Sequence, residues 1–235
     1  MKLLFSILLT FTFCVNSIKA QKRPNIIIMM TDDQGYGDIG AHGNPYLKTP
    51  RMESIGDQGI EMTHFFSYPN CSASRAALLT GRYPYRTGVT AVTQVDHFMN
   101  TSEITLAEIL GDNGYRTGIF GKWHLGDNMP MRPIDQGFQE TLVHKGGGIG
   151  QAAGPAGNTY FDPILEHNGS SKQYKGYCDD IFTEATLDFI SKKEKKPFFF
   201  LGSGWLLAFA FVVKKKQHKK SAMIFKVRMN PVYLL

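Results

Sequence analysis

Three short strand-like segments, each leading into polar or glycine-bearing chain, do most to limit what this chain can fold into. They are Asn25 to Met30, Tyr115 to Phe120 and Pro197 to Leu201. The first is a continuous β-rich apolar run, which suits a strand buried on both faces, as in a parallel sheet. Between the runs lie segments with helical character. Thr49-Pro50 opens one that runs through Ile55 and ends by Gly59, with Pro50 at the first helical position. Ala73 to Thr80 reads as a second, closed by Gly81. Thr105 to Leu110 is a third, capped near Ser102 or Thr105 and ended by Gly111 or Gly114. Tyr177 to Lys192 is a fourth, with Ile181, Ala185, Leu187, Phe189 and Ile190 supplying most of its buried side. Ile60 to Ser67 alternates as a further strand, whereas Asn128 to Gln151 reads as irregular and Gln151 to Tyr174 as loop. The order β, α, β, α, α, β, long loop, α, β argues for an α/β fold with a largely parallel sheet.

The ends of the strands carry the chemistry-bearing residues. The first run leads into Thr31-Asp32-Asp33-Gln34-Gly35, the second into Gly121-Lys122-Trp123-His124. In open α/β sheets, ligands gather outside the carboxyl ends of strands. Two adjacent carboxylates there call for a counter-charge, and hard oxygen ligands suit Ca²⁺ or Mg²⁺; a solvated Asp-Gly turn is the plain alternative. Lys122 and His124 likewise read either as solvated loop residues or as two cation-capable groups of a site. His144-Lys145-Gly146-Gly147-Gly148 matches neither glycine-rich nucleotide fingerprint and reads as a rim loop.

The stretch Asn70-Cys71-Ser72-Ala73-Ser74-Arg75 places a cysteine at the start of a helix, with an arginine one turn on. Unpaired N–H groups, the helix dipole and the guanidinium together make a site for an anion on or beside residue 71. Three readings of Cys71 stand: a small buried hydrophobe, a thiolate nucleophile, or the centre of an anion site.

Charge and cysteine content exclude some classes. The formal charge is +6, but the last 22 residues hold seven Lys/Arg and no acid, leaving 19 basic against 20 acidic residues elsewhere. The basic character therefore belongs to a tail, which argues against a nucleic-acid-binding surface on the domain. Met1 to Ala20 has the charged start, apolar stretch and small residue of a secretory signal, which implies a secreted or periplasmic protein. Of three cysteines, Cys14 lies in that segment. A Cys71–Cys178 disulfide is arithmetically open, and a disulfide-rich scaffold is excluded. Asn70, Asn100 and Asn168 begin N-glycosylation sequons, read here as chance.

Cys71-Ser72-Ala73-Ser74-Arg75 followed by Leu79-Thr80-Gly81-Arg82 resembles the modification motif of the type I sulfatases, with Ala73 in place of the commoner Pro. Gly114 to His124 is similar to that family's second signature, and Pro24 through Asp33 to its first strand and metal pair. The resemblance covers roughly residues 23–201. It implies an alkaline-phosphatase-like sandwich, with a largely parallel central sheet flanked by helices, and an arylsulfatase-like sulfuric ester hydrolase. Cys71 would be converted to formylglycine by a formylglycine-generating or anaerobic sulfatase-maturing enzyme. Asp32, Asp33 and residue 71 would hold Ca²⁺ or Mg²⁺. Arg75 would steady the aldehyde hydrate, Lys122 would bind the sulfate of a sulfated small molecule or glycan, and His124 would interact with the second hydroxyl. The phosphatase relatives on the same fold use Thr or Ser where this chain has Cys71, which argues against them.

The implied organisation is a signal peptide over 1–20, the N-terminal part of a sulfatase catalytic domain over 21–201, and a divergent apolar then basic tail over 202–235. A further active-site His, a distal Asp-Asn or Asp-His pair, a leaving-group Lys and a C-terminal domain have no recognisable counterpart. The expectation is a truncated copy with little or no turnover. The alternative is a secreted sulfate-ester-binding remnant or a nonfunctional fragment. Residues 197–213 also approach the length of a membrane anchor followed by a basic stop, but 198–201 is needed as a sheet strand, so truncation is favoured.

Overall fold

The computed structural model describes residues 23–93, 96–204 and 223–227. The segment read as a secretory signal, Cys14 with it, and most of the tail lie outside the described residues. The three strand-like segments form strands β1 (Ile26–Thr31), β2 (Arg116–Lys122) and β6 (Phe198–Gly204). Four helices accompany them: α1 (Pro50–Gln58), α2 (Cys71–Thr80), α3 (Leu106–Asp112) and α4 (Cys178–Ser191). Strands β3 (Glu140–His144), β4 (Ile164–His167), β5 (Ser170–Gln173) and β7 (Met223–Val227) complete a seven-stranded sheet of order β5-β4-β3-β2-β6-β1-β7.

The pairs β3–β2, β2–β6, β6–β1 and β1–β7 are parallel, and only β3–β4 and β4–β5 are antiparallel. This is the mostly parallel sheet expected. β1 is an almost continuous apolar run because both faces are covered. On one face Ile28, Met30, Ile119, Phe199 and Leu201 pack with Ala73, Ala76 and Leu79 of α2 and Ala107 of α3. On the other, Phe120, Leu142, Leu165 and Phe200 pack with Ile181, Phe182 and Phe189 of α4. Successive residues of β6, Phe199 and Phe200, thus fill opposite cores, as the two-residue strand period requires. Cys71 packs against the first core and Cys178 in the second, and both are free thiols, so the disulfide left open by the sequence does not form.

Several sequence expectations need correction. Residues 60–67 form no strand: Ile60 is 90% exposed and Phe66 68%, and with no neighbour to supply a ladder, alternation alone does not make a strand. The region read as irregular contains β3, whose Thr141-Leu142-Val143 is β-forming and buried. The region read as loop contains the β4–β5 hairpin. Its turn, Asn168-Gly169, has φ of 49° and 81°, the two positive values of a type I′ turn. The third apolar run continues past Leu201 to Gly204, in register with Thr31 of β1. As a central strand it removes residues 198–204 from any membrane span and leaves too short an apolar stretch in 205–213. Among the described residues no helix is long and apolar enough to cross a membrane.

Candidate active site

β1, β2, β3 and β6 are parallel, so their carboxyl ends meet at one edge of the sheet, and α2 begins there. Asn70 is the N-cap of α2, its side-chain oxygen accepting from the Ala73 N–H at 2.9 Å. Cys71 is therefore the first residue of the helix and not the residue before it. Gly81 closes the helix in the left-handed region, at φ 66°, where its N–H bonds the Ala77 carbonyl.

Arg75 lies one turn on and is 1% exposed. Its Nη1 donates to the Lys122 carbonyl at 2.7 Å and to Ser203 Oγ at 2.6 Å, and its Nη2 to Asp32 Oδ1 at 3.4 Å. Lys122 Nζ donates to the other oxygen, Asp32 Oδ2, at 2.7 Å. One buried carboxylate thus joins two buried cations carried by α2, β2 and the end of β1. Burial alone raises the Asp32 carboxyl, but the charges of Arg75 and Lys122 and their hydrogen bonds outweigh it and hold it below the usual carboxylate range. Two cations against one anion leave surplus positive charge in a dry place, which favours a further anion. Gly121 makes this geometry feasible. Its φ is 117°, and a Cβ there would lie 1.5 Å from the Ser203 carbonyl oxygen, so β2 and β6 reach this edge in contact only because residue 121 has no side chain.

His124 bridges to Cys71. Its Nδ1 lies 3.1 Å from Cys71 Sγ and its Nε2 2.6 Å from the Thr93 carbonyl oxygen. A carbonyl only accepts, so Nε2 carries the proton. Nδ1 of the neutral ring then accepts from the thiol. Burial, then the nearby Lys122 charge, lowers the His124 pKa to about 4, which keeps the ring neutral near pH 7. Its backbone is in the left-handed region at φ 63°, uncommon for a residue other than glycine and held here by the contacts of both ring nitrogens.

The structure thus brings together Asp32, Cys71, Arg75, Lys122 and His124 in one connected network. Asp33 stands apart: it is exposed, at φ 52°, with no side-chain hydrogen bond or ion pair among the described residues. The donor set does not fit a closed hard-cation site. Ca²⁺ takes six to eight oxygens, whereas the described residues offer two carboxylates, one of them already paired with two cations. Among the described residues there is no group of three or more His, Cys, Asp or Glu able to hold a metal.

Three contributors were not singled out from sequence. Ser203 receives Arg75, but its side chain lies in a stretch read as tail. The Thr93 carbonyl fixes His124, and no side-chain signal marks a backbone acceptor. His144, read as part of a rim loop, is the last residue of β3, opposite Lys122 in the register and buried. Burial, followed by the charges of Lys122 and Arg75, lowers its pKa to about 3, and its Nδ1 has no hydrogen-bond partner. The β-branched character of Thr141 and Val143 was the available signal.

A family profile described as Sulfatase matches residues 24–203. The chain belongs to the sulfatase family. Human steryl-sulfatase is 40% identical over 152 residues, 58% of this chain and 26% of that protein. Human arylsulfatase A is 38% identical over 157 residues, 64% of this chain and 30% of that protein. The chain therefore spans about a quarter to a third of these curated relatives. Among solved structures, Ps i-CgsB in complex with k-i-k-neocarrahexaose superposes with a TM-score of 0.70 at 28% identity, over 80% of this chain and 46% of that one. BT4656 in complex with its substrate D-glucosamine-2-N,6-O-disulfate gives 0.67 at 29% identity, over 79% and 35%. The sulfatase fold, with helices on both faces of a mostly parallel sheet, is the architecture described above.

Proposed function

We propose that this chain is the nucleophile-bearing part of a sulfuric ester hydrolase, secreted or periplasmic, and that Cys71 is its nucleophile precursor. The observation that carries this is the contact of Cys71 with His124 at the start of α2, beside Asp32, Arg75 and Lys122. A sulfate ester is an anion and a poor electrophile, so a site for it needs fixed positive charge and an activated nucleophile. Arg75 and Lys122 provide the charge, held in place by Asp32. His124 Nδ1 stands where it takes a proton from residue 71, and the Thr93 carbonyl keeps the ring in the tautomer that accepts one. Formylglycine, made from Cys71 by a formylglycine-generating or anaerobic sulfatase-maturing enzyme, would supply an aldehyde hydrate whose hydroxyl attacks sulfur. The family's divalent cation, Ca²⁺ or Mg²⁺ on Asp32, Asp33 and residue 71, would need oxygen donors beyond those described, and no step is assigned to it.

That incomplete donor set supports a second reading, a chain that binds sulfate esters with little or no turnover. One experiment separates the two. The purified protein, coexpressed with a formylglycine-generating enzyme, is assayed for hydrolysis of p-nitrophenyl sulfate, and the residue-71 peptide is weighed by mass spectrometry. Turnover that Cys71→Ala abolishes supports the hydrolase. Modified peptide without turnover, together with sulfated-glycan binding lost in Arg75→Ala or Lys122→Ala, supports the binding reading. Neither turnover nor binding overturns both.

A further inference from the structure

The amino edge of the sheet, opposite the nucleophile, carries a cluster of cations around one incompletely bonded arginine. Arg116 opens β2 there, and Lys122 closes the same strand, so the two stand about 20 Å apart. Arg116 is 9% exposed, and its guanidinium lies 3.9 Å from the centre of the Phe189 ring. Nη2 donates to the Phe189 carbonyl at 2.7 Å, one of the last-turn carbonyls that a helix leaves open, and so caps the end of α4. Nε and Nη1 are buried and have no hydrogen-bond partner among the described residues. A buried donor left without an acceptor is costly, and two of them on one charged group mark a place where an acceptor belongs.

Glu194 is the acid that faces this arginine. Its Oε1 lies 3.4 Å from Nε, within ion-pair range but without the geometry of a hydrogen bond. The Glu194 side chain is 44% exposed, so water competes for it and the pair is weak. Glu194 belongs to the turn from Lys192 to Lys196 that joins α4 to β6. Lys192 is bound to Glu140 at 2.6 Å. Lys193, Lys195 and Lys196 are exposed and form no ion pair with a described residue. Arg23 is exposed at the same edge, where its guanidinium donates to the Asn113 carbonyl. Asp112 and Asp188, on the adjoining helix ends, are the further acids there. Among the described residues this edge thus holds more positive than negative charge, and the surplus lies in the turn itself.

We propose that the turn between α4 and β6 is an oxyanion-binding site, in which the Glu194 carboxylate is a built-in stand-in that an inorganic sulfate or phosphate ion displaces from Arg116. The incoming ion presents oxygen acceptors on several sides and hydrogen-bonds the Nε that Glu194 only approaches. The lysines of the turn add charge without needing one fixed position. Glu194, once released, swings into water. Sulfate and phosphate share the chemistry that the site recognises, and the probes tell them apart. The turn is remote from Cys71, so the proposal stands or falls independently of the sulfate-ester reading.

The test is hydrogen-exchange mass spectrometry of the full chain, read at the peptide spanning 187–199. Sodium sulfate, sodium phosphate and sodium chloride are titrated at matched ionic strength. Sulfate, phosphate or both should slow exchange in this peptide with a saturating dose dependence, and chloride should not. The ion that saturates at the lower concentration is the preferred ligand. Glu194→Gln keeps the shape of the stand-in and removes its charge, so it should lower the half-saturating concentration about fivefold. Lys193→Gln, Lys195→Gln and Lys196→Gln together should raise it about tenfold or more. All four positions are exposed, so circular dichroism of both variants is expected to match the parent. No protection of this peptide, equal protection by chloride, or protection spread evenly over the chain as general salt stabilisation gives overturns the proposal. So does a half-saturating concentration that Glu194→Gln fails to lower or the lysine variant fails to raise.

Discussion

Two walls meet at the carboxyl edge of the sheet, and they are built on opposite principles. One is the network of Asp32, Arg75 and Lys122, in which each charged group is buried and the two salt bridges to Asp32 tie β1, α2 and β2 together. The other is the glycine- and alanine-rich rim from Gly146 to Ala153, which bears no charged side chain. The first wall sits on strands with cores on both faces. The second is a loop between β3 and β4 that only partly covers its own residues. On the proposed reading, the chemistry common to any sulfate ester falls to the rigid part, and the loop is the part that tolerates change.

The largest effect that bears on this contrast is on turnover. On the hydrolase reading, Cys71→Ala should drop the p-nitrophenyl sulfate hydrolysis of matured protein to background, while a rim substitution such as Ala153→Ser keeps the parent's activity. If the two lose activity alike, the division of labour is wrong. Next comes stability. Arg75→Ala leaves Asp32 with Lys122 as its sole cation partner and strands the Ser203 hydroxyl, so it should cost about 3–5 kcal/mol in urea unfolding. Phe189→Ala, in the core behind the network, belongs to the same range of about 3–5 kcal/mol, whereas Ala153→Ser should stay within about 0.5 kcal/mol. A rim substitution as costly as Arg75→Ala would erase the contrast.

A smaller effect concerns pH. His144 faces Lys122, Arg75, Asp32 and His124, and its pKa is lowered to about 3 from the ordinary value near 6.5. A lowered histidine pKa means that the unfolded chain takes up the proton first. Its neutral form contributes stability above about pH 6.5, and that contribution is lost as pH falls from there toward 3. The urea midpoint should therefore fall across this window, and His144→Gln should flatten the part due to this ring. An unchanged slope would remove His144 from the buried network. Smallest is Asn70→Ala, which removes the N-cap of α2 and should cost about 1 kcal/mol. Asn70→Asp, which keeps the capping oxygen, should restore it.

Legibility from the sequence followed the range of the interactions involved. β1 and the Phe198-Phe199-Phe200-Leu201 start of β6 announce themselves because a strand buried on both faces is mostly apolar. α2 does so because Gly81 and the Ala/Leu run are local signals. β3 and β4 are shorter, and half their definition comes from the neighbour they pair with. Ile60 to Ser67 has the alternation of a strand and lacks the neighbour, so it is none. Asn168-Gly169 is a local hairpin-turn signal, and the loop reading of residues 151–174 passes over it. In the site, motif residues marked Cys71, Arg75, Lys122 and His124, but no pattern marks Ser203 or the Thr93 carbonyl, whose roles depend on what the chain brings opposite them.

By itself, the sequence determined the class of fold and the family, and it marked Cys71, Arg75, Lys122 and His124 as candidates. These rest on local periodicity and on residue types spaced within single segments. Only the tertiary structure decided that Asp32 is paired by Arg75 and Lys122 while Asp33 has no side-chain partner among the described residues, that Cys71 meets His124 across 53 positions of chain, and that Ser203 receives Arg75. Those are contacts between segments distant in sequence. They are fixed by sheet register and by the burial that makes an unpaired charge costly, and neither is written in any one stretch of the chain.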